Sequence, residues 1–365
     1  MKIPFVDLKA NYLSIKKEID DAVANVIDNT AFIKGSELEL FEKNWAEMCG
    51  AEFCIGTSNG TSSLELILKA LGIEHDDEVI CPSHTFIATS EAIINAGAKP
   101  VFADCHDGTA LIDATEVAKA ITEKTKAVII VDLYGQPADH DAVKKVIGDR
   151  NITIIQDAAQ SHGALYKKSV TGSYAAVTSF SFYPGKNLGA FGDAGAVVTN
   201  DRELAEKIKM MSDHGRISKY EHLIHGTNAR MDNLQAAVLN VKMRYLNEWN
   251  SRRRKIVNKY RNALEDIVRF IDEESFARPV YHLCVVRTPY RDDLIKFLNE
   301  HGVSTGIHYP VPLHMQPVYK DLGYKYGDFP RTEKISEEIL SLPLYPEMTE
   351  EMADFVIAQV KEYFN

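Results

Sequence analysis

The stretch "KAVIIVDLYGQPADHDAVKKVIGDRNITIIQD", residues 126–157, decides the fold. Its two ends, "KAVIIVD" (126–132) and "ITIIQD" (152–157), are apolar almost throughout and each closes on an aspartate. Runs this apolar predict strands covered on both faces. Between them "DHDAVKKVIGD" (139–149) carries apolar residues at helical spacing with charges between. The three together predict one strand–helix–strand unit of a parallel sheet.

The same alternation repeats outward from this unit. "FCIG" (53–56) precedes "SSLELILKAL" (62–71), "EVICP" (78–82) precedes "TSEAIINAG" (89–97), and "KPVFAD" (99–104) precedes "ATEVAKAI" (114–121). Two further apolar runs, "VTSFSF" (177–182) and "AGAVVT" (194–199), follow. A helix is expected over 13–28, "LSIKKEIDDAVANVID". The reading is an α/β domain spanning 1–245, built on a mostly parallel sheet with helices on both faces. Beyond about residue 200 the texture changes. A long amphipathic helix or helix pair is expected within 230–264, a strand at 279–288, and helices at 291–302 and 350–364. These predict a smaller C-terminal α+β domain over 246–365.

Composition bounds the function. The chain has 365 residues, 45% hydrophobic, enough for a large core. Its net charge of -11 argues against a nucleic-acid binder, which needs a basic face. The "RRRK" run (252–255) reads as a solvated helix face. Five cysteines, odd in number and without a CxxC pair, fit reduced thiols rather than a disulfide framework. No stretch approaches a membrane span and the first residues lack a signal-peptide core, so a cytoplasmic protein is expected. The histidines of "HLIH" (222–225) and "HYPVPLH" (308–314) lack neighbouring carboxylates or cysteines, so no metal is expected.

Parallel sheets bind ligands at the carboxyl ends of their strands, and the chemically interesting residues fall there. "GTSNGTSSLELIL" (56–68) runs from strand through a Gly-containing turn into a helix. The amides of Gly60 and Thr61 suit a phosphate; alone, the segment reads as a capped helix. Phe86, in "PSHTFIATSEAI" (82–93), could stack on a planar ring or simply fill core. Asp157 ends its strand, followed by Gln160 and His162. Its carboxylate could pair with a protonated pyridine nitrogen or cap a helix. Lys186, in "SFSFYPGKNLGAFGDAGAVV" (179–198), lies among glycines after a strand. Alone it is a surface lysine in a Gly-rich loop. A site that lowers its pKa makes it a Schiff-base former. Four such features at successive strand ends are much less readily coincidental than one.

These residues also carry a resemblance. The chain resembles the pyridoxal phosphate (PLP)-dependent sugar-nucleotide aminotransferases of the DegT/DnrJ/EryC/StrS type, nearly end to end. The matching segments include "IPFVDLKANY", "SNGTSSL", "PSHTFIAT", "QDAAQSHGA", "SFSFYPGKNLGAFGDAGAVVT", "GTNARMDNLQAA", "GIHYPVPLHMQPVY" and "SLPLYPEMTEEM". The resemblance implies a fold type I, aspartate aminotransferase-like architecture with a seven-stranded sheet. It implies that Lys186 is the catalytic lysine and that Asp157 pairs with the pyridinium. Gln160 would bond the ring hydroxyl, Phe86 would stack on the ring, and Gly60, Thr61 and Ser181 would hold the phosphate. Asn228 would reach the phosphate of the partner subunit's cofactor, which implies a homodimer with shared sites. His162, Tyr183, His308 and Tyr309 would lie toward the sugar. Lys219 and Arg230, with Arg216, would meet a diphosphate.

The implied reaction passes an amino group from L-glutamate, through the pyridoxamine form of the cofactor, to a nucleotide-linked keto-sugar. The lysine loop is similar to that of members that aminate C-3 of a dTDP-linked 3-oxo-6-deoxyhexose, in amino-sugar biosynthesis such as that of lipopolysaccharide O-antigen. A UDP-linked 3-oxo sugar and a non-catalytic PLP-binding regulator are the competing readings. Related dehydratases carry histidine at the lysine position, so Lys186 argues against that chemistry.

Overall fold

The computed structural model describes residues Met1–Asn365. Its centre is a sheet of seven strands: β1 (Phe53–Thr57), β2 (Glu78–Pro82), β3 (Lys99–Ala103), β4 (Thr125–Val131), β5 (Thr153–Asp157), β6 (Val177–Ser181) and β7 (Gly195–Thr199). Across the sheet the order is β1-β7-β6-β5-β4-β2-β3. Strand β7 runs antiparallel to both neighbours, and the pairs from β6 to β3 are all parallel. The apolar run of 126–132 becomes β4, and the centres of β4 and β5 are buried, as two-sided coverage requires: Ile129, Ile130 and Ile155 expose nothing. Each such side chain contributes about 1.5–3 kcal/mol of transfer from water.

The helices of the alternating pattern form where their apolar spacing places them. Gly60–Ala70 follows β1, Ala88–Asn95 follows β2, Ala114–Ala120 follows β3 and His140–Ile147 follows β4. Asp113 and Asp139 cap the last two, accepting from the amides of Thr115 and Ala142. The expected helix over 13–28 is two helices, Leu8–Ser14 and Lys16–Asp28, joined at Ile15. The stretch 230–264 is also a pair, Asn233–Met243 and Leu246–Leu264.

A second core gathers Val257, Tyr260, Leu264, Leu294, Leu298, Val356 and Val360 around an antiparallel sheet. That sheet comprises β8 (Arg269–Phe270), β9 (Cys284–Arg287) and β10 (Ile339–Leu342), with β9 in the middle. Of the strand expected over 279–288 only β9 forms, because Val280 and Leu283 give their amides to Gly135 and Tyr134 instead. Ile3, from the other end of the chain, joins this core and pairs with Val303. No helix is long and apolar enough to cross a membrane.

Candidate active site

The cleft lies at the carboxyl ends of β1, β2, β4, β5 and β6, where the parallel topology predicts it. At the end of β1, Asn59 caps the helix Gly60–Ala70 by accepting from the amide of Ser62 at 2.8 Å. The first amides of a helix have no carbonyl partner, so those of Gly60 and Thr61 are left to point outward. Gly60 packs on the end of β6: a Cβ there would stand 2.7 Å from the Cβ of Ser181. Glycine is therefore required for the turn, the helix end and Ser181 to meet. Together they form a small anion cup with the positive end of the helix behind it.

Asp157 ends β5 between Val131 and Ser179 of the adjoining strands. Its carboxylate is buried and held from two sides, by the Thr89 hydroxyl at 3.0 Å and the Ala159 amide at 3.1 Å. Burial raises its pKa, against those two bonds and the charge of Lys186. Lys186 is carried by the tight turn after β6, whose first bond is its own amide to Tyr183 O at 2.8 Å. Burial pushes its pKa down to about 8, with Asp157 pulling the other way. An amine and a carboxylate thus lie within electrostatic reach of each other, each destabilised in its charged form by burial.

The aromatic wall comes from β2 and the C-terminal segment. Phe86 is half exposed and its ring centroid lies 5.5 Å from that of Tyr309. Gln160 Nε2 reaches the Tyr309 hydroxyl at 3.4 Å, while its Oε1 accepts from the Tyr134 amide at 2.6 Å. The amide is thereby oriented with its donor end toward the cleft. Nearby, the His308 imidazole bonds the Ser341 hydroxyl at 2.9 Å and stacks on Phe5. Burial and the charge of Lys186 push its pKa down to about 4, so it is neutral at pH 7. Tyr183 stands 59% exposed beside Lys186.

Several expected residues lie elsewhere. His162 does not face a substrate. Its ring is fully buried behind Ser181, bonded to the Ser181 carbonyl at 2.9 Å and boxed by Trp45, Phe180 and Phe182. The turn between Ala158 and Ala164 swings it behind the sheet end, and burial lowers its pKa to about 3. Arg230 is occupied by Asp213, which also pairs with Lys34 and Arg216. These three cations hold the Asp213 carboxyl far below the usual carboxylate range. Lys219 and Asn228 are exposed on the hairpin that follows Asp213, and the Lys219 ammonium lies over the Tyr220 ring. The segment that closes this hairpin runs beside the end of β1, through the bond from the Ser58 amide to Ala229 O and the bridge between Thr57 and Arg230.

Sequence reasoning missed Thr89, Tyr134, His84 and His282. Thr89 lies inside the quoted "PSHTFIATS" and signals itself only once Asp157 is seen beside it. His282 is a neutral imidazole within electrostatic reach of Lys186, His308 and Arg253.

The residues present fit PLP. Its phosphate would fit the cup of Gly60, Thr61 and Ser181, its protonated pyridine nitrogen would meet Asp157, its ring hydroxyl the Gln160 amide, and its aldehyde the Lys186 amine. The DegT/DnrJ/EryC1/StrS aminotransferase family model matches residues 13–361.

The chain belongs to that family.

Among its relatives, the chain is 43% identical to the erythromycin biosynthesis sensory transduction protein EryC1 of Saccharopolyspora erythraea, covering 99% of each. It is 42% identical to a dTDP-3-amino-3,4,6-trideoxy-alpha-D-glucose transaminase of Streptomyces venezuelae, over 99% of this chain and 96% of that one. Among solved structures, DesV of S. venezuelae in complex with a ketimine intermediate superposes with a TM-score of 0.97 at 42% identity, over 99% of this chain and 98% of that one. This DegT/StrS-type aminotransferase therefore has the fold type I architecture that its sequence implies.

Proposed function

We propose that this aminotransferase moves an amino group from L-glutamate to C-3 of a dTDP-linked 3-oxo-6-deoxyhexose, as one step of amino-sugar biosynthesis. The observation that carries the reading is that Lys186 and Asp157 lie within electrostatic reach of each other, at the same end of the sheet as the close approach of Gly60 to Ser181. The intact pair favours catalysis over a purely regulatory role. The sugar assignment is supported by the lysine-loop sequence and by the named activity of the S. venezuelae relative.

When bound, PLP supplies the electron sink that makes a carbon–hydrogen bond beside nitrogen acidic. The chain supplies the rest. Asp157 holds the pyridine nitrogen protonated. Gln160 donates to the ring oxygen, and Phe86 covers the ring face. Lys186 Nζ takes the proton from the α-carbon of glutamate in the first half. In the second half it returns a proton to C-3 of the sugar. The products balance as 2-oxoglutarate and the 3-amino sugar. His308 and Tyr309, with Tyr183, line the side on which the sugar enters. Neutral His308 can accept or donate to a sugar hydroxyl without adding charge.

The working form is proposed to be a cytoplasmic homodimer in which Asn228 and Lys219 reach the partner's site. Phe32, Ile33, Phe191, Ile217, Tyr220 and Leu223 are exposed apolar side chains that such an interface could cover. The five cysteines form no disulfide. A division at 245/246 into large and small domains has support from the separate core joined by Ile256, Val257, Tyr260 and Leu264, although Leu246 and Trp249 pack with the large domain.

The test is turnover with dTDP- and UDP-linked 3-oxo sugars and glutamate, the amino sugar being detected by mass. Formation of the dTDP-linked 3-amino sugar with stoichiometric 2-oxoglutarate is expected. Exclusive use of a UDP-linked sugar would overturn the nucleotide assignment, and no turnover of either would overturn the reading.

A further inference from the structure

Behind the site, one tyrosine bonds both Gln160 and the segment that carries His308. Tyr134 follows β4 in the left-handed region, at φ 61°, which a non-glycine residue adopts only when its surroundings hold it there. Its amide donates to Gln160 Oε1 at 2.6 Å, and its carbonyl accepts from Leu283 at 3.4 Å. Its hydroxyl lies 2.5 Å from the carbonyl of His308 and 2.7 Å from His84 Nε2. Next to it, a Cβ on Gly135 would meet the backbone of Tyr281, His282 and Gln160 within 3.1 Å, so the crossing admits only glycine.

The direction of each hydrogen bond follows by elimination. A carbonyl only accepts, so the Tyr134 hydroxyl donates to His308 O. Its remaining contact must then be received, so His84 carries its proton on Nε2 and donates. His84 Nδ1 is left as the acceptor facing the Ser336 hydroxyl at 3.5 Å. His84 is buried, and burial holds it neutral at pH 7, consistent with one ring proton.

We propose that Tyr134 is a positioning residue that ties the cofactor-side amide of Gln160 to the substrate-facing segment His308–Tyr309. Through its amide it sets which end of Gln160 faces the ring. Through its hydroxyl it fixes the backbone that presents His308 and Tyr309 to the sugar. Gln160 Nε2 closes the loop on the Tyr309 hydroxyl at 3.4 Å. The inference rests on the proposed function for its kinetic consequence, but its structural consequence is readable without substrate.

The test is Tyr134→Phe in the full-length protein, with two readouts. Hydrogen–deuterium exchange of the substrate-free protein should quicken about fivefold to tenfold in peptides covering 305–313, the cost of one buried hydrogen bond. Exchange over β5 should be unchanged. In the PLP-loaded enzyme, KM for the nucleotide sugar should rise by about the same factor. The rate of the glutamate half-reaction should stay within about twofold, because the Tyr134 amide still holds Gln160. If Tyr134→Phe does not fold, Tyr134→Met, which also lacks the hydroxyl that donates to His308 O, carries the same test. Wild-type exchange over 305–313 would overturn the proposal, as would an equal loss in both half-reactions. Should the chain prove not to use the proposed sugar, the exchange result still decides the coupling.

Discussion

Lys186 offers the sharpest prediction, because its reactivity follows from its burial before any cofactor is added. With a midpoint at about 8 instead of 10.5, it is neutral about 300 times more often at pH 7 than a solvated lysine. The assay is competitive labelling of the cofactor-free protein with a trace of acetic anhydride between pH 6 and 11. Labelling of the Lys186 peptide should rise through pH 7 and level off by about pH 9, while a solvated lysine, with an ordinary value of about 10.4, would still be climbing. Asp157→Asn removes the one nearby charge that favours the ammonium, so the midpoint should fall further, by about one pH unit. Stability gives a second readout with a defined sign. Above pH 8 the folded lysine sheds its proton while the unfolded one keeps it up to 10.5, so this group's contribution to stability rises with pH across that window. The stability gap between Lys186→Met and wild type should shrink over the same range. A labelling curve for Lys186 that keeps rising tenfold per pH unit past pH 9 would refute the reasoning.

Three other outcomes follow from the geometry. Gly60→Ala drives a Cβ to 2.7 Å from Ser181 Cβ and forces the cup open, costing about 1–3 kcal/mol, so PLP titrated by absorbance should bind about tenfold or more weakly. Asp132 is fully buried beside Asp157, with burial raising its pKa to about 7 despite bonds from Ser161, Ala138 and Gln156. The folded state holds its proton longer than the unfolded one, so it lowers stability as pH climbs from about 4 to 7; Asp132→Asn should flatten that part of the thermal-unfolding profile. Asp213→Ala leaves Lys34, Arg216 and Arg230 without their shared carboxylate and should cost about 1–3 kcal/mol in chemical denaturation, discounted because the cations are partly solvated.

The sheet was legible in the sequence because β2, β3, β4 and β5 are apolar on both faces and separated by amphipathic helices of ordinary length. The antiparallel direction of β7 was not, because direction leaves no trace in an apolar run such as "GAVVT". The helix Ser36–Cys49 escaped notice because its start is signalled by Gly35 at φ 127°, not by a capping side chain. At the site, Lys186 and Asp157 declared themselves as polar residues at the ends of buried strands. His162 misled for the reverse reason: five residues beyond Asp157 it belongs to the same motif, yet the chain turns its ring away under Ser181. Tyr134 and His84 left no local signal. The partners of Tyr134, Gln160 and His308, lie 26 and 174 residues away and His84 lies 50 away, and only the fold brings them together.

The central claim is tested most directly by an absorbance spectrum of the purified protein loaded with PLP, read before and after L-glutamate. A visible band near about 410–430 nm that gives way to one near about 330 nm, and that a dTDP-linked 3-oxo-6-deoxyhexose restores, is the expected result; Lys186→Ala should show neither change. A protein that takes up no PLP, or whose band is indifferent to glutamate, would contradict the account.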